Sequence, residues 1–165
     1  MTSLFYHAEK GYNPQDSVTY AWIGFYSQMY ESGTTRWRWT DTSPTSFTQW
    51  AAGEPNAEHI SSKRSCAYLD SRLGWHVDTN CNAKINFICK SNTQEIDLSP
   101  PADDRGRLLD CADTYGEDWH ATSNEPGRGY HCMKAYPKEV DWHEAEHICN
   151  SRGAHLMSIH SNGKE

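Results

Sequence analysis

His143-Glu144-Ala145-Glu146-His147 is the stretch of this chain that most openly spells out a reaction. On a helix the two imidazoles fall at i and i+4. They share one face and can chelate zinc beside a glutamate that acts as general base. A hydrolase of this kind also needs a third ligand and a cleft. One protease class continues the motif with a glycine, but Asn150 stands there, and Glu165 is a poor third ligand. A second set, Glu54-Pro55-Asn56, sits within residues Thr40 to Ser65, which are rich in Thr, Ser, Pro, Gly and Asn. Such residues make tight turns readily, and long ordered loops are usually functional. The six cysteines form no C-x-x-C zinc or redox motif. An even set in an aromatic, loop-rich chain points to disulfides and an oxidising compartment, with fifteen pairings open. The chain has no G-x-S-x-G elbow, phosphate loop or N-glycosylation sequon.

The elements that must position these groups have short periods. Val140 to Ser151 carries Trp142, Ala145, Ile148 and Cys149 at helical spacing and ends at Gly153. Leu4 to Glu9 predicts a shorter helical piece. Strands are expected at Ala21–Tyr26, Arg36–Thr40, Ser65–Asp70 and Asn86–Lys90. In Trp37-Arg38-Trp39 the aromatics alternate with a polar residue, as on a half-buried strand. Ser99-Pro100-Pro101, Asp103-Asp104 and Gly106 mark residues 91–110 as a solvated linker.

The pattern Trp37-Arg38-Trp39, Asp41, Phe47, Trp50, Gly53-Glu54-Pro55-Asn56, Cys66, Trp75, Cys81 and Phe87-Ile88-Cys89, preceded by Trp22-Ile23-Gly24, resembles the C-type lectin-like domain. The opening half of that domain is found at the other end of the chain. Cys111, Trp119, Cys132, the helix Trp142 to Cys149 and the strand Gly153-Ala154-His155-Leu156-Met157-Ser158-Ile159 resemble its first hairpin, first helix and following strand. The resemblance therefore implies an α+β fold with two helices, small antiparallel sheets and a long ligand loop. It would be circularly permuted or assembled from two half-domains. Residues 1–90 would form the C-terminal part, 91–110 the linker and 111–165 the N-terminal part. A window cut from tandem domains gives the same order. Two chains exchanging halves would give a swapped dimer. The implied bridges are Cys66–Cys81, Cys89–Cys149 and Cys111–Cys132.

In sugar-binding members of the family a calcium ion holds vicinal hydroxyls, and its shell needs several oxygens. The resemblance places Glu54 and Asn56 as calcium ligands and sugar contacts, flanking a proline whose preceding bond is usually cis. Their order goes with mannose-type hydroxyl geometry. The next ligand would be acidic, but Arg64 stands there. Asn-Asp is implied after Trp75, and His76 and Val77 stand there instead. Asp78 lies one residue late, and an extra residue before Cys81 would shift it into reach. Calcium binding is thus expected to be weak or absent, and recognition to survive calcium chelation. The ligand would be a glycan or, in the alternative, a protein bound without calcium. The helix that bears Trp142, Ala145 and Cys149 on its core face turns His143, Glu144 and His147 to solvent. A zinc enzyme is therefore not expected, although stray surface zinc is.

A formal charge of −7 excludes the basic footprint that nucleic acid requires. No apolar run approaches the roughly 20 residues that span a bilayer. Met1 to Lys10 lacks the basic start and apolar core of a signal peptide. The cysteines nonetheless predict a secreted or extracellular protein, so a true N-terminus is expected upstream.

Overall fold

The computed structural model describes residues 20–56, 64–91, 111–122 and 131–161. The helix expected at residues 4–9 and most of the linker lie outside them. The described chain forms β1 (Tyr20–Met29), β2 (Thr35–Trp39), β3 (Arg64–Asp70), β4 (Trp75–Asp78), β5 (Ile85–Ser91), α1 (Cys111–Tyr115), β6 (His120–Thr122), β7 (His131–Val140), α2 (Trp142–Asn150) and β8 (Ala154–Leu156).

Eight strands join one sheet. Its main order is β4-β3-β1-β5-β7-β6, with β2 on β1 and β8 on β5. The α+β fold with two helices and short, mostly antiparallel strands is the expected one. β1 is buried on both faces, so it needs neighbours that cover both. β5 meets it in parallel at Ala21↔Asn86 and Trp22↔Phe87, while the other strand pairs run antiparallel. That parallel contact fuses the two sets of strands into a mixed sheet. β5 also binds β7 from Ile85↔Val140 to Lys90↔Met133, and β8 from Cys89↔Leu156 to Ser91↔Ala154. Strands from the two parts of the sequence thus lie in one sheet.

Side chains alternate faces along a strand, and β1 uses both. Trp22 enters one core with Phe87, Trp142, Ala145, Leu156 and all six cysteines. Ala21, Ile23 and Phe25 enter the other, with Trp39, Leu69, Trp75, Ile88 and Met157. The second core is aromatic: the Phe25 ring lies 4.5 Å from that of Trp39 and 5.4 Å from that of Trp75. Buried indole N–H groups need acceptors. The Trp22 indole donates to Val140 O at 3.0 Å, and the Trp142 indole donates to Ile23 O at 2.9 Å. These two bonds tie β1 to the β7–α2 junction.

Asp141 caps α2 by accepting from Glu144 N at 2.9 Å, and Lys84 Nζ reaches its other oxygen at 2.7 Å. These bonds hold the Asp141 carboxyl below the usual range, the Lys84 bond first and the Glu144 amide second. α1, a five-residue helix with only Cys111 buried, was not expected. One turn is too short to show a period. The bridges are Cys66–Cys81, Cys89–Cys149 and Cys111–Cys132, the pairs that the resemblance implies.

Candidate functional site

The loop after β2 is pinned against the start of β4. Ala51 N donates to Trp75 O at 3.0 Å, Trp75 N donates to Gln49 O at 2.9 Å, and Trp50 and Trp75 pair as a parallel bridge. The loop then turns, with Glu54 N donating to Ala51 O at 3.0 Å, and enters Pro55 through a cis peptide bond. This path sets Glu54 beside β4. Its Oε1 lies 3.9 Å from His76 Nδ1, and its Oε2 accepts from Asn56 N at 3.3 Å. Glu54 and Asn56 are therefore brought together, with His76 as their neighbour.

His76 is itself held on two sides. Its Nε2 lies 2.9 Å from Asp70 Oδ2. The Tyr68 ring, opposite it in the β3–β4 register, stacks on the imidazole at 5.3 Å and 16°. Asp70 is fixed by the hairpin: its Oδ1 accepts from Arg72 N at 2.8 Å and Gly74 N at 2.9 Å. A Cβ at Gly74 would lie 3.2 Å from Ala51 Cβ and 3.2 Å from Asp70 Oδ2, so a glycine lets loop and hairpin close up. Burial pushes the Asp70 carboxyl up. The bonds from His76, Gly74 and Arg72 outweigh that and keep it below its ordinary value. An ionised Asp70 only accepts, so His76 donates from Nε2, and in the neutral ring the lone pair is on Nδ1.

Asp78 shares a strand face with His76, two residues on. Its carboxylate is engaged by the following turn, accepting from Ala83 N at 3.1 Å and Asn80 N at 3.5 Å. Glu54, Asp70 and Asp78 all lie close enough to Tyr68 to raise its phenol, after burial as the largest cause. Val77 points the other way, pairs with Ala67 and is buried. Arg64 lies four residues before Tyr68 on β3, roughly 13 Å along the strand, and its guanidinium sits 5.3 Å over the Tyr26 ring. Asp70 and Tyr68 escaped the sequence reading. The one signal for them was the turn-forming run from Asp70 to Gly74.

On α2, His143, Glu144 and His147 are exposed while Trp142, Ala145 and Cys149 are buried. Glu144 meets Lys138 Nζ at 3.4 Å. Among the described residues no group of three or more His, Cys, Asp or Glu side chains is placed to hold a metal ion. Nor is any helix among them long and apolar enough to cross a membrane.

The model of the Lectin C-type domain matches residues 5–91, which hold β1 to β5 and the loop with Glu54. The chain belongs to the C-type lectin domain family. It is 28% identical over 153 residues to C-type mannose receptor 2 of Mus musculus, across 87% of this chain and 9% of the receptor. It is 27% identical over 163 residues to Lymphocyte antigen 75 of Mus musculus, across 98% of this chain and 9% of that protein. A C-type lectin of Micrurus corallinus is 36% identical over 86 residues, half of each chain. The chain thus spans only about a tenth of the two larger relatives. No solved structure matches significantly.

Proposed function

We propose that this lectin domain is a non-catalytic extracellular recognition module. Its ligand, a glycan by family resemblance, would meet the Glu54–Asn56 loop and the β3–β4 hairpin without depending on calcium. The observation that carries this reading is the placement of His76. A nitrogen donor, already bonded to Asp70, lies where the family uses an oxygen ligand. Calcium takes six to eight oxygens. Glu54 and Asn56 supply two side chains, Val77 buries an apolar one, and Asp78 is engaged in its own turn. The residues present therefore do not fit calcium. Exposure of His143, Glu144 and His147 on a helix face supports the non-catalytic reading.

A glycan array run on metal-stripped protein, with and without added calcium, tests the proposal. Ligands should be bound equally in both arms, and calorimetry should show no sub-millimolar calcium site. Calcium-dependent binding lost in Glu54→Ala would overturn it and return the protein to calcium-dependent sugar binding. A protein ligand is the second reading, favoured by the acidic surface around Tyr68.

We infer that residues 1–90 and 111–165 are complementary halves of one domain joined by the linker 91–110, whether permuted or drawn from consecutive repeats. The pairing of β5 with β7 and β8 supports this. A single cooperative unfolding transition is the corresponding measurement.

A further inference from the structure

We propose that Arg36, Arg38 and Arg64 form a second binding face, apart from the Glu54–Asn56 loop, for a sulfated polysaccharide. The strand register gathers them. Arg38 lies opposite Tyr26, and Arg36 opposite Gln28, across the β1–β2 pair. Gln28 meets Arg64 of β3 on its other side. Paired residues project to the same face of a sheet, as do residues two apart on a strand. The three arginines therefore share one face, and all are exposed. Arg36 and Arg38 stand roughly 7 Å apart along β2, and Arg36 and Arg64 about 10 Å apart across β1. In a chain of formal charge −7 this is a local reversal of sign. Aromatic rings hold the cations. The guanidiniums of Arg36 and Arg38 lie 5.8 and 5.5 Å over the Tyr30 ring, and that of Arg64 lies 5.3 Å over Tyr26. A ring restrains a guanidinium without cancelling its charge. Among the described residues Arg36 and Arg38 have no ion pair, Glu31 of the intervening turn included. Their planar forks are open to oxyanions, which they can grip with two hydrogen bonds each. Holding the forks beforehand lowers the cost of binding. Separated cations on a strand surface suit a chain of repeated anionic groups, because each contact after the first is intramolecular. Nucleic acid and anionic membrane present extended negative surfaces, which the acidic remainder of the molecule repels. A single sugar chain touches only the reversed patch. The three disulfides fit the oxidising compartment in which sulfated polysaccharides are found.

The test is calorimetric titration of a heparin oligosaccharide, a densely sulfated chain, into the full oxidised protein with a calcium chelator present. Binding is expected, and added salt should weaken it. Arg36→Gln with Arg38→Gln should weaken it about tenfold or more, and Arg64→Gln about threefold. Arg36→Lys with Arg38→Lys keeps the charge and loses the forks, and should still weaken it about threefold. Lys138→Gln with Arg152→Gln removes as much charge from other exposed positions and should change nothing. Circular dichroism checks the fold of each variant, and Arg38→Gln alone decides should the double variant unfold. Absent heparin binding, an equal loss in the Lys138→Gln, Arg152→Gln control, or lysine variants that bind as wild type would overturn the site. Equal binding of unsulfated hyaluronan, polyglutamate or anionic vesicles would overturn the choice of a sulfated chain. Failure here leaves the calcium-independent reading of the Glu54–Asn56 loop standing, and a calcium-dependent loop leaves this face standing.

Discussion

Gly24 occupies the tightest crossing of the chain. Its N–H donates to Met157 O and its carbonyl accepts from Thr40 N, both at 3.0 Å. A Cβ there would fall 2.6 Å from Leu156 O and 2.7 Å from Thr40 Oγ1. The first of these is backbone and cannot swing aside, so β1 would have to part from the end of β8. Gly24→Ala should therefore destabilise the fold by about 1–3 kcal/mol, the usual cost of overpacking a dense interior. Urea unfolding with an unchanged m-value would show it, and a midpoint equal to wild type would count against the close approach. Trp22-Ile23-Gly24 was legible as a core strand, and the need for glycine follows once β8 is in place. His76 was legible only as a departure from the family's ligand pattern. Its role depends on Asp70 and Tyr68, which lie six and eight residues away and meet it only through the hairpin register.

The elements themselves were largely legible. β1, β2, β3, β5 and α2 fall within a few residues of the expected spans, because alternating aromatics and an i, i+3, i+7 apolar set are strong signals. β4 and α1 were not expected, since four and five residues carry too little pattern. The joining of strands into one sheet was also hidden, because register between distant segments leaves no local trace. The Cys89–Cys149 bridge fastens α2 to β5 across 60 residues of sequence, whereas Cys66–Cys81 closes only 15. In the chain-entropy account, loops of those lengths give about 4 and about 3 kcal/mol. Replacing both Cys89 and Cys149 by alanine should thus cost more stability than replacing Cys66 and Cys81. Denaturant unfolding of the two double variants checks the order. Fluorescence and circular dichroism should follow one transition in the oxidised wild type. Two separated transitions would mean that the halves fold apart.

At the scale of the whole molecule, the second core contains a charged cluster that joins four segments. Lys90 on β5 is only 5% exposed, and its Nζ donates to Ser158 O at 3.1 Å and Ser158 Oγ at 3.2 Å, in the segment after β8. Ser158 Oγ donates to Asp41 in the loop after β2, and Ser43 donates to the same carboxylate through both its hydroxyl and its amide. His160 lies 3.2 Å from Ser158 Oγ, and His131 of β7 is near enough to feel Lys90, Asp41 and His160. Burial first, and Lys90 second, push both imidazoles below their ordinary value, against weaker opposing effects from Asp41 and from backbone hydrogen bonds at Pro44 and Ser91. Their lowered folded values mean that the unfolded chain binds protons first as pH falls. Stability should then decline as pH drops below about 6.5, the ordinary histidine value. Burial also raises the Asp41 carboxyl, but the bonds from Ser158 and Ser43 overcome this and leave it below its ordinary value. Its contribution is present above about pH 4 and is lost as pH falls through its lower folded value, adding a second decline. Burial pushes the Lys90 ammonium below its ordinary value, and Asp41 opposes this. Thermal melts from pH 7.5 to 3 should show both declines, and His160→Gln should flatten the first while sparing the second. A melting temperature that is level between pH 7 and 5 in the wild type would mean that these imidazoles carry no such linkage.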